Sequence, residues 1–379
     1  MRFDPTYQAA RTVAPAIETH FAYHLNSASA DAEPLMPAPA ASVIETLIDA
    51  SFWASLRREE GYSPKISLAL LPPEQAGGAL VFAERLPLIP AVLTKLAPAV
   101  ERPGIHLGVW YQGDALFIWG STREIPVNCL VLEVIEPGLL VVKHRRLDGF
   151  GKFINVAILK GDQIRIVDER LVSLADYPPM LTSMLDFNLP AVWVDSVNVL
   201  VELAVSMRAH GRGGLLLVVP AGAPDWRESI IHPISYPLVP AFTGLSDLIH
   251  QDLNQVNPIE WRTALGQAVD EIGGLTAVDG ATVLNDRYEV LAFGAKIGRA
   301  ERSARVEQLL ITEPTVDNEP VVVSPTQAGG TRHLAAAQFV FDQREALALV
   351  ASQDGRFTLF AWSEPSGMVH AHRVDALLL

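Results

Sequence analysis

The chain has 379 residues, of which 49% are apolar and 19% charged, so it exceeds one ordinary domain and is not globally disordered. Its formal charge is −14, from 29 Lys+Arg against 43 Asp+Glu. That excludes a surface built to coat a nucleic-acid backbone, but not a local basic pocket for a small anion. The single cysteine, Cys129, excludes an internal disulfide and a multi-cysteine zinc site, and it fits a reducing compartment. Met1-Arg2-Phe3-Asp4-Pro5 lacks the charged-then-apolar run of a signal peptide, and no apolar stretch reaches the roughly 18–20 residues that span a bilayer. A soluble cytoplasmic protein with no membrane partner is expected.

The first forty residues are Ala/Pro-rich and predict an arm or loose helix, then a linker at Met36-Pro37-Ala38-Pro39-Ala40. Val43, Leu47, Ile48, Ala50, Phe52 and Leu56 give a helical stripe over 42–60 with Ser42 as N-cap, and a second helix is expected at 89–96. Apolar runs at 105–111, 115–119, 127–135, 139–143, 153–159 and 163–167 are separated by Gly-, Pro- and Asp-containing turns. They predict a mostly antiparallel β-unit, with Trp110, Phe117 and Trp119 in its core. His144-Arg145-Arg146 reads as a solvated strand end. Residues 173–190, with Pro178-Pro179, read as a connector.

Beyond the connector, helix and strand alternate. A helix over 196–210 ends at Gly211-Arg212-Gly213-Gly214, and Leu215–Val219 is a continuous apolar strand. Gly211-Arg212-Gly213-Gly214 lacks the Lys-Ser/Thr of a phosphate loop. Asn257-Pro258-Ile259-Glu260 is a capped helix start, with an end at Gly273-Gly274. Strands follow at 276–284 and 288–297, then a charged, looped segment at 299–319. Thr331 is placed to cap a helix running to about Glu345, and 347–351 and 357–362 form a closing hairpin around Gln353-Asp354-Gly355. The expected organisation is an N-terminal α+β, β-rich regulatory region over 1–190 and a C-terminal α/β domain, a mixed sheet flanked by helices, over 191–379.

Two short motifs bear chemistry. Asp279-Gly280-Ala281 puts a carboxylate inside an apolar strand, where it needs a partner, hydrogen bonds or a metal. A strand-end Asp satisfied by neighbouring amides is the alternative. In Gly329-Gly330-Thr331-Arg332-His333-Leu334, glycines lead into a helix start whose free N–H groups and two side-chain donors suit a phosphate. An ordinary capped helix with a solvated Arg and a half-buried His fits the same residues. His370-Ala371-His372 could hold a metal on one strand face, but surface residues are the simpler reading.

The order Gly213-Gly214, Asp279-Gly280-Ala281, Gly330-Thr331-Arg332-His333, then a helix and the hairpin Ser352-Gln353-Asp354-Gly355, resembles the catalytic domain of DisA-type diadenylate cyclases over about 195–375. The first half resembles the sensor-type region, of the DACNV kind, that accompanies one branch of these cyclases. The resemblance implies that two ATP are joined into cyclic di-AMP with release of two pyrophosphates, each domain holding one ATP and a divalent cation, Mg or Mn. It implies a homodimer or higher homo-oligomer, because two domains must face each other. It places Asp279 near the 3′-hydroxyl and the metal, and the backbone of Gly280 and Ala281 on the nucleotide. It implies that Thr331, Arg332 and His333 hold phosphates, that Asp279, Arg332 and His333 are the catalytic residues, and that Gly330, Thr331, Ser352 and Gln353 contact the nucleotide. Leu334 replaces a third basic residue of the family, and Ser352 and Gln353 replace glutamates. Lys296, Arg299, Arg302 and Arg305 are candidates to compensate. The alternative reading is a nucleotide- or cyclic-dinucleotide-binding sensor without turnover.

Overall fold

The computed structural model describes residues 5–27, 36–102, 104–113, 115–145, 153–167, 198–252, 256–316 and 319–378. The expected connector at 173–190, the turn at 148–151 and the boundary near 190 lie outside them. Two units, Met1–Asp168 and Glu169–Leu378, each close on themselves. Each is built on a mixed sheet with helices. No helix among the described residues is long and apolar enough to cross a membrane.

The first unit runs α1 (Gln8–Ser27), α2 (Ala41–Ser55), β1 (Ile66–Leu70), β2 (Leu80–Pro87), α3 (Pro90–Leu96), β3 (His106–Gln112), β4 (Ala115–Thr122), β5 (Leu130–Glu136), β6 (Leu139–Arg145), β7 (Phe153–Lys160) and β8 (Gln163–Ile166). The strand order is β2-β4-β3-β1-β5-β6-β7-β8. Of the expected arm or loose helix, the structure has the helix, and it is packed rather than loose. Ala10, Val13, Ala14, Ile17 and Phe21 recur at helical spacing and are buried against α2 and the sheet. Its entry is pinned by Asp49 of α2, whose Oδ1 accepts the backbone N–H of Thr6 (2.6 Å) and of Tyr7 (2.7 Å). Tyr7 stacks on Phe52 at 3.7 Å, and its hydroxyl donates to the Gly161 carbonyl. Ser42 does not cap α2. Ala40 holds that position and Ser42 lies inside the helix.

Strand β1, Ile-Ser-Leu-Ala-Leu, was not foreseen. It is fully buried at the sheet centre, parallel to β3 and antiparallel to β5. On the opposite face a smaller cluster gathers Met36, Leu71, Trp119, Cys129 and Val131. Trp119 donates its indole N–H to the Leu71 carbonyl at 2.7 Å. Burial pushes the Cys129 thiol up to about 12.

The second unit runs α4 (Val199–Ala209), β9 (Gly214–Val219), β10 (Tyr236–Phe242), α5 (Gly244–Ile249), α6 (Pro258–Leu275), β11 (Ala281–Asn285), β12 (Val290–Ala295), β13 (Leu309–Thr312), β14 (Val321–Val323), α7 (Pro325–Ala328), α8 (Thr331–Asp342), β15 (Leu347–Ala351), β16 (Phe357–Ser363) and β17 (Met368–Arg373). The order is β10-β12-β11-β9-β15-β16-β17-β13-β14. Alternation along β9 sorts the two faces. Leu216 and Val218 pack with α4 and α6, while Leu215, Leu217 and Val219 pack with α8. Asn257 caps α6 as expected, its Oδ1 accepting from Ile259 N at 2.9 Å. The helix runs through Gly273-Gly274 to Leu275, because Gly273 is buried against Ser206 of α4.

Candidate functional site

Three strand ends and one helix start meet at one end of the second sheet. β9 and β11 run parallel, with Thr282 opposite Leu216, so Asp279 and Gly280 enter β11 beside the Gly213-Gly214 entry to β9. β15 runs antiparallel to β9, with Ala351 opposite Gly214. Its exit into Ser352-Gln353 therefore arrives at the same end. Helix α8 starts there too. Arg332 Nη1 lies 2.9 Å, and the Ala351 carbonyl oxygen 3.2 Å, from the point a Cβ on Gly213 would occupy. The structure thus gathers four motifs spread over about 140 residues of sequence, from Gly213 to Gln353.

Asp279 does not lie inside a strand. β11 starts at Ala281, because Gly280 adopts φ +104° and packs its backbone on Gly294, where a Cβ would stand 2.5 Å from the Gly294 carbonyl carbon. The Asp279 side chain is 89% exposed, with Lys296 Nζ 3.7 Å away. It faces solvent and the Lys296 ammonium rather than buried amides. Ala281 is wholly buried in β11, so the expected contact of its backbone with a nucleotide is not offered at the surface.

At the start of α8, Gly330 rather than Thr331 holds the cap position, and no side chain caps the helix. Thr331 is exposed and Arg332 half-buried. His333 turns away from them, since successive helical residues differ by about 100° around the axis. Its ring sits beneath Gly329, edge-on to Phe360, with Nε2 3.4 Å from Thr358 Oγ1. Burial, reinforced by Arg373, holds the imidazole below its ordinary range, so it is neutral at pH 7. Arg332 and His333 therefore do not present donors at one spot.

His210, which sequence reasoning passes over, and Arg212, whose run it sets aside as no phosphate loop, complete the cluster. His210 is held below its ordinary range by burial and then by Arg212 and Arg332. Its Nδ1 accepts from Arg212 N at 3.1 Å, while Nε2 faces Thr276 Oγ1 at 3.2 Å. The Thr276 hydroxyl donates to the Gly273 carbonyl, so His210 carries its proton on Nε2. A neutral histidine between two arginines leaves a local positive potential in an acidic protein. The Gly211-Arg212-Gly213 run was the available signal. Gln353 donates its amide to the Arg212 carbonyl at 3.3 Å, and the Ser352 hydroxyl shares its one proton between the Arg356 carbonyl, at 3.2 Å, and the Asp354 carboxylate. Burial raises the Asp354 carboxyl, but hydrogen bonds, first from Ser352, outweigh it and hold it below the usual range.

Arg299, Arg302 and Arg305 belong elsewhere. Their loop is tied through Ala300 N (2.9 Å) and the Ser303 hydroxyl to Asp342, at the opposite end of α8 from Thr331. Only Lys296 of the four compensating candidates stands at the cluster. His370 and His372 are not surface residues. They lie on β17 with His370 buried, and burial followed by His370 brings His372 down to about 3. His144 is likewise buried rather than a solvated strand end.

A divalent cation of the Mg class takes hard oxygen ligands, commonly one or two carboxylates plus substrate phosphates. One exposed carboxylate, Asp279, in the same row of strand ends as Arg332 fits that donor chemistry.

No curated protein matches the chain. Residues 33–123, which take in α2 to β4 of the first unit, match the family model described as "Probable sensor domain DACNV". The first unit thus carries a probable sensor domain.

Proposed function

We propose that the second unit binds ATP or a related nucleotide where Asp279, Gly213, Arg332 and Ser352 meet, and that its fold is of the diadenylate-cyclase type. The observation that carries this reading is the Arg332 guanidinium laid over Gly213 in the same row of strand ends as the exposed Asp279. The missing side chain at Gly213 makes room for the Arg332 guanidinium, Arg332 neutralises phosphate charge, and Asp279 is free to exchange Lys296 for a cation. Mg or Mn, when bound at Asp279, supplies further neutralisation of the phosphates. In the cyclase reading each 3′-hydroxyl attacks the α-phosphorus held by a second copy. One P–O bond forms, the bond to the β-phosphate bridging oxygen breaks, pyrophosphate leaves, and two such steps give cyclic di-AMP. The probable sensor domain would regulate that activity.

Two observations favour a second reading, nucleotide binding without turnover. The Gln353 amide is engaged by the Arg212 carbonyl, and His333 faces the interior. Incubation of purified protein with ATP and Mn, followed by mass spectrometry, separates the two. Cyclic di-AMP, with specific activity rising with protein concentration as a face-to-face dimer forms, is the cyclase outcome. Calorimetric ATP binding with no product at any concentration is the sensor outcome. Absence of both binding and product overturns the site.

A further inference from the structure

Helix α1 carries His20 and His24 at i and i+4, the spacing that sets two side chains on one face. Strand β6 offers His144, buried against that face beside Phe21. The three rings are tilted rather than stacked, with centroids 4.5 Å (His20–His24), 4.6 Å (His24–His144) and 5.1 Å (His20–His144) apart. One nitrogen from each lies within 4.8 Å of the others, and His20 Nε2 is 2.9 Å from His144 Nδ1.

We infer that these three imidazoles form a binding site for a first-row divalent transition ion, with zinc as the leading occupant. Zinc–nitrogen bonds of about 2.0–2.1 Å place tetrahedral ligand atoms roughly 3.3 Å apart, a spacing the present separations bracket. Small rotations of His20 and His24 on the last turns of α1 would bring all three nitrogens onto one ion. An all-imidazole set selects Zn, Cu, Ni or Co and discriminates against Mg and Ca, which take oxygen ligands. The site is thus chemically distinct from Asp279 and does not depend on nucleotide binding. It clips a helix before residue 33 to a strand after residue 123, both outside the segment matched as a sensor domain. Such an ion would link the two flanks of that segment and make free metal an input to the first unit.

The test uses the full-length chain stripped with a chelator. Zinc affinity is measured by competition with a chromophoric chelator, and Co(II) binding by its ligand-field absorption. One equivalent of each ion, a raised thermal midpoint on zinc addition and no competition from excess Mg are expected. His24→Ala and His20→Ala, both at half-buried positions, should each weaken zinc at least about 10-fold while circular dichroism stays native. His372→Gln, which alters the other histidine pair, should leave zinc binding unchanged. No stoichiometric zinc in the wild-type chain, or undiminished affinity in both α1 variants, overturns the site. Loss of binding in His372→Gln alone does so too.

Discussion

Arg332 Nη1 lies 2.9 Å from where a Cβ on Gly213 would stand, on backbone with φ +73°. Glycine is required there by conformation, and a Cβ would crowd the Arg332 guanidinium and the Ala351 carbonyl. Gly213→Ala should cost about 1–3 kcal/mol of stability through the strained φ. It should also displace the guanidinium and weaken nucleotide binding. Arg332→Ala should weaken that binding by about 1.5–3 kcal/mol without the stability loss. Denaturant melts and ATP calorimetry on both variants check this, and unaltered affinity in both removes Arg332 from the site.

Asp279→Asn separates chemistry from fold. The carboxylate is exposed and its ion pair with Lys296 is long, so the pair is worth less than about 1 kcal/mol. The thermal midpoint should stay where it is. Cation-dependent nucleotide binding, and any cyclic product, should be lost, since the amide keeps the shape and removes the charge. Wild-type product formation in this variant would move the cation elsewhere.

His372 supplies a pH dependence. Its pKa is brought down to about 3 from the ordinary 6.5, first by burial and then by His370. The unfolded chain therefore binds the proton more readily than the folded one. The stability held by the neutral form is complete above about pH 6.5 and is lost progressively as pH falls from there toward 3. Denaturant midpoints should fall steadily from pH 7 to pH 4.5, and His372→Gln should flatten that slope. A slope equal to wild type would assign the acid sensitivity to other groups.

Asp49 holds the entry to α1 by accepting from Thr6 and Tyr7 while fully buried. Asp49→Ala leaves two backbone donors unpaired and should cost about 2–4 kcal/mol. Asp49→Asn, which keeps one acceptor oxygen, should cost less. Hydrogen exchange should localise the loss to α1. An α1 as protected as wild type in the alanine variant would refute the capping role.

Much of this architecture was readable in advance, and the failures have physical causes. The Asn257 cap, the apolar run of β9 and the hairpin around Asp354-Gly355 are local signals that tertiary packing left intact. The helix of α1 is legible but its packing is not, because Pro15 and a run of alanines mask a stripe whose partners lie on a distant sheet. β10 was passed over because Pro237 and Pro240 argue against a strand, which an edge position tolerates. Asp279 was placed in a strand because its neighbours are apolar. The break comes from Gly280 meeting Gly294, a contact invisible in sequence. Motif order foretold which segments would meet. The inward His333 matches the ordinary-helix alternative rather than the phosphate one, and nothing in the motif order brings His210 and Arg212 to Arg332.

The chain's one thiol, Cys129, is enclosed beneath Trp119 and Val131 and pushed up to about 12, so the folded protein offers almost no thiolate to an alkylating reagent. The molecule is therefore silent toward maleimides while native. A cysteine introduced at exposed Thr331 would take a fluorophore or spin label alone, beside the proposed nucleotide site. Under conditions that open the first unit, the same buried sulfur becomes a clock, its labelling rate reporting how often that core is exposed.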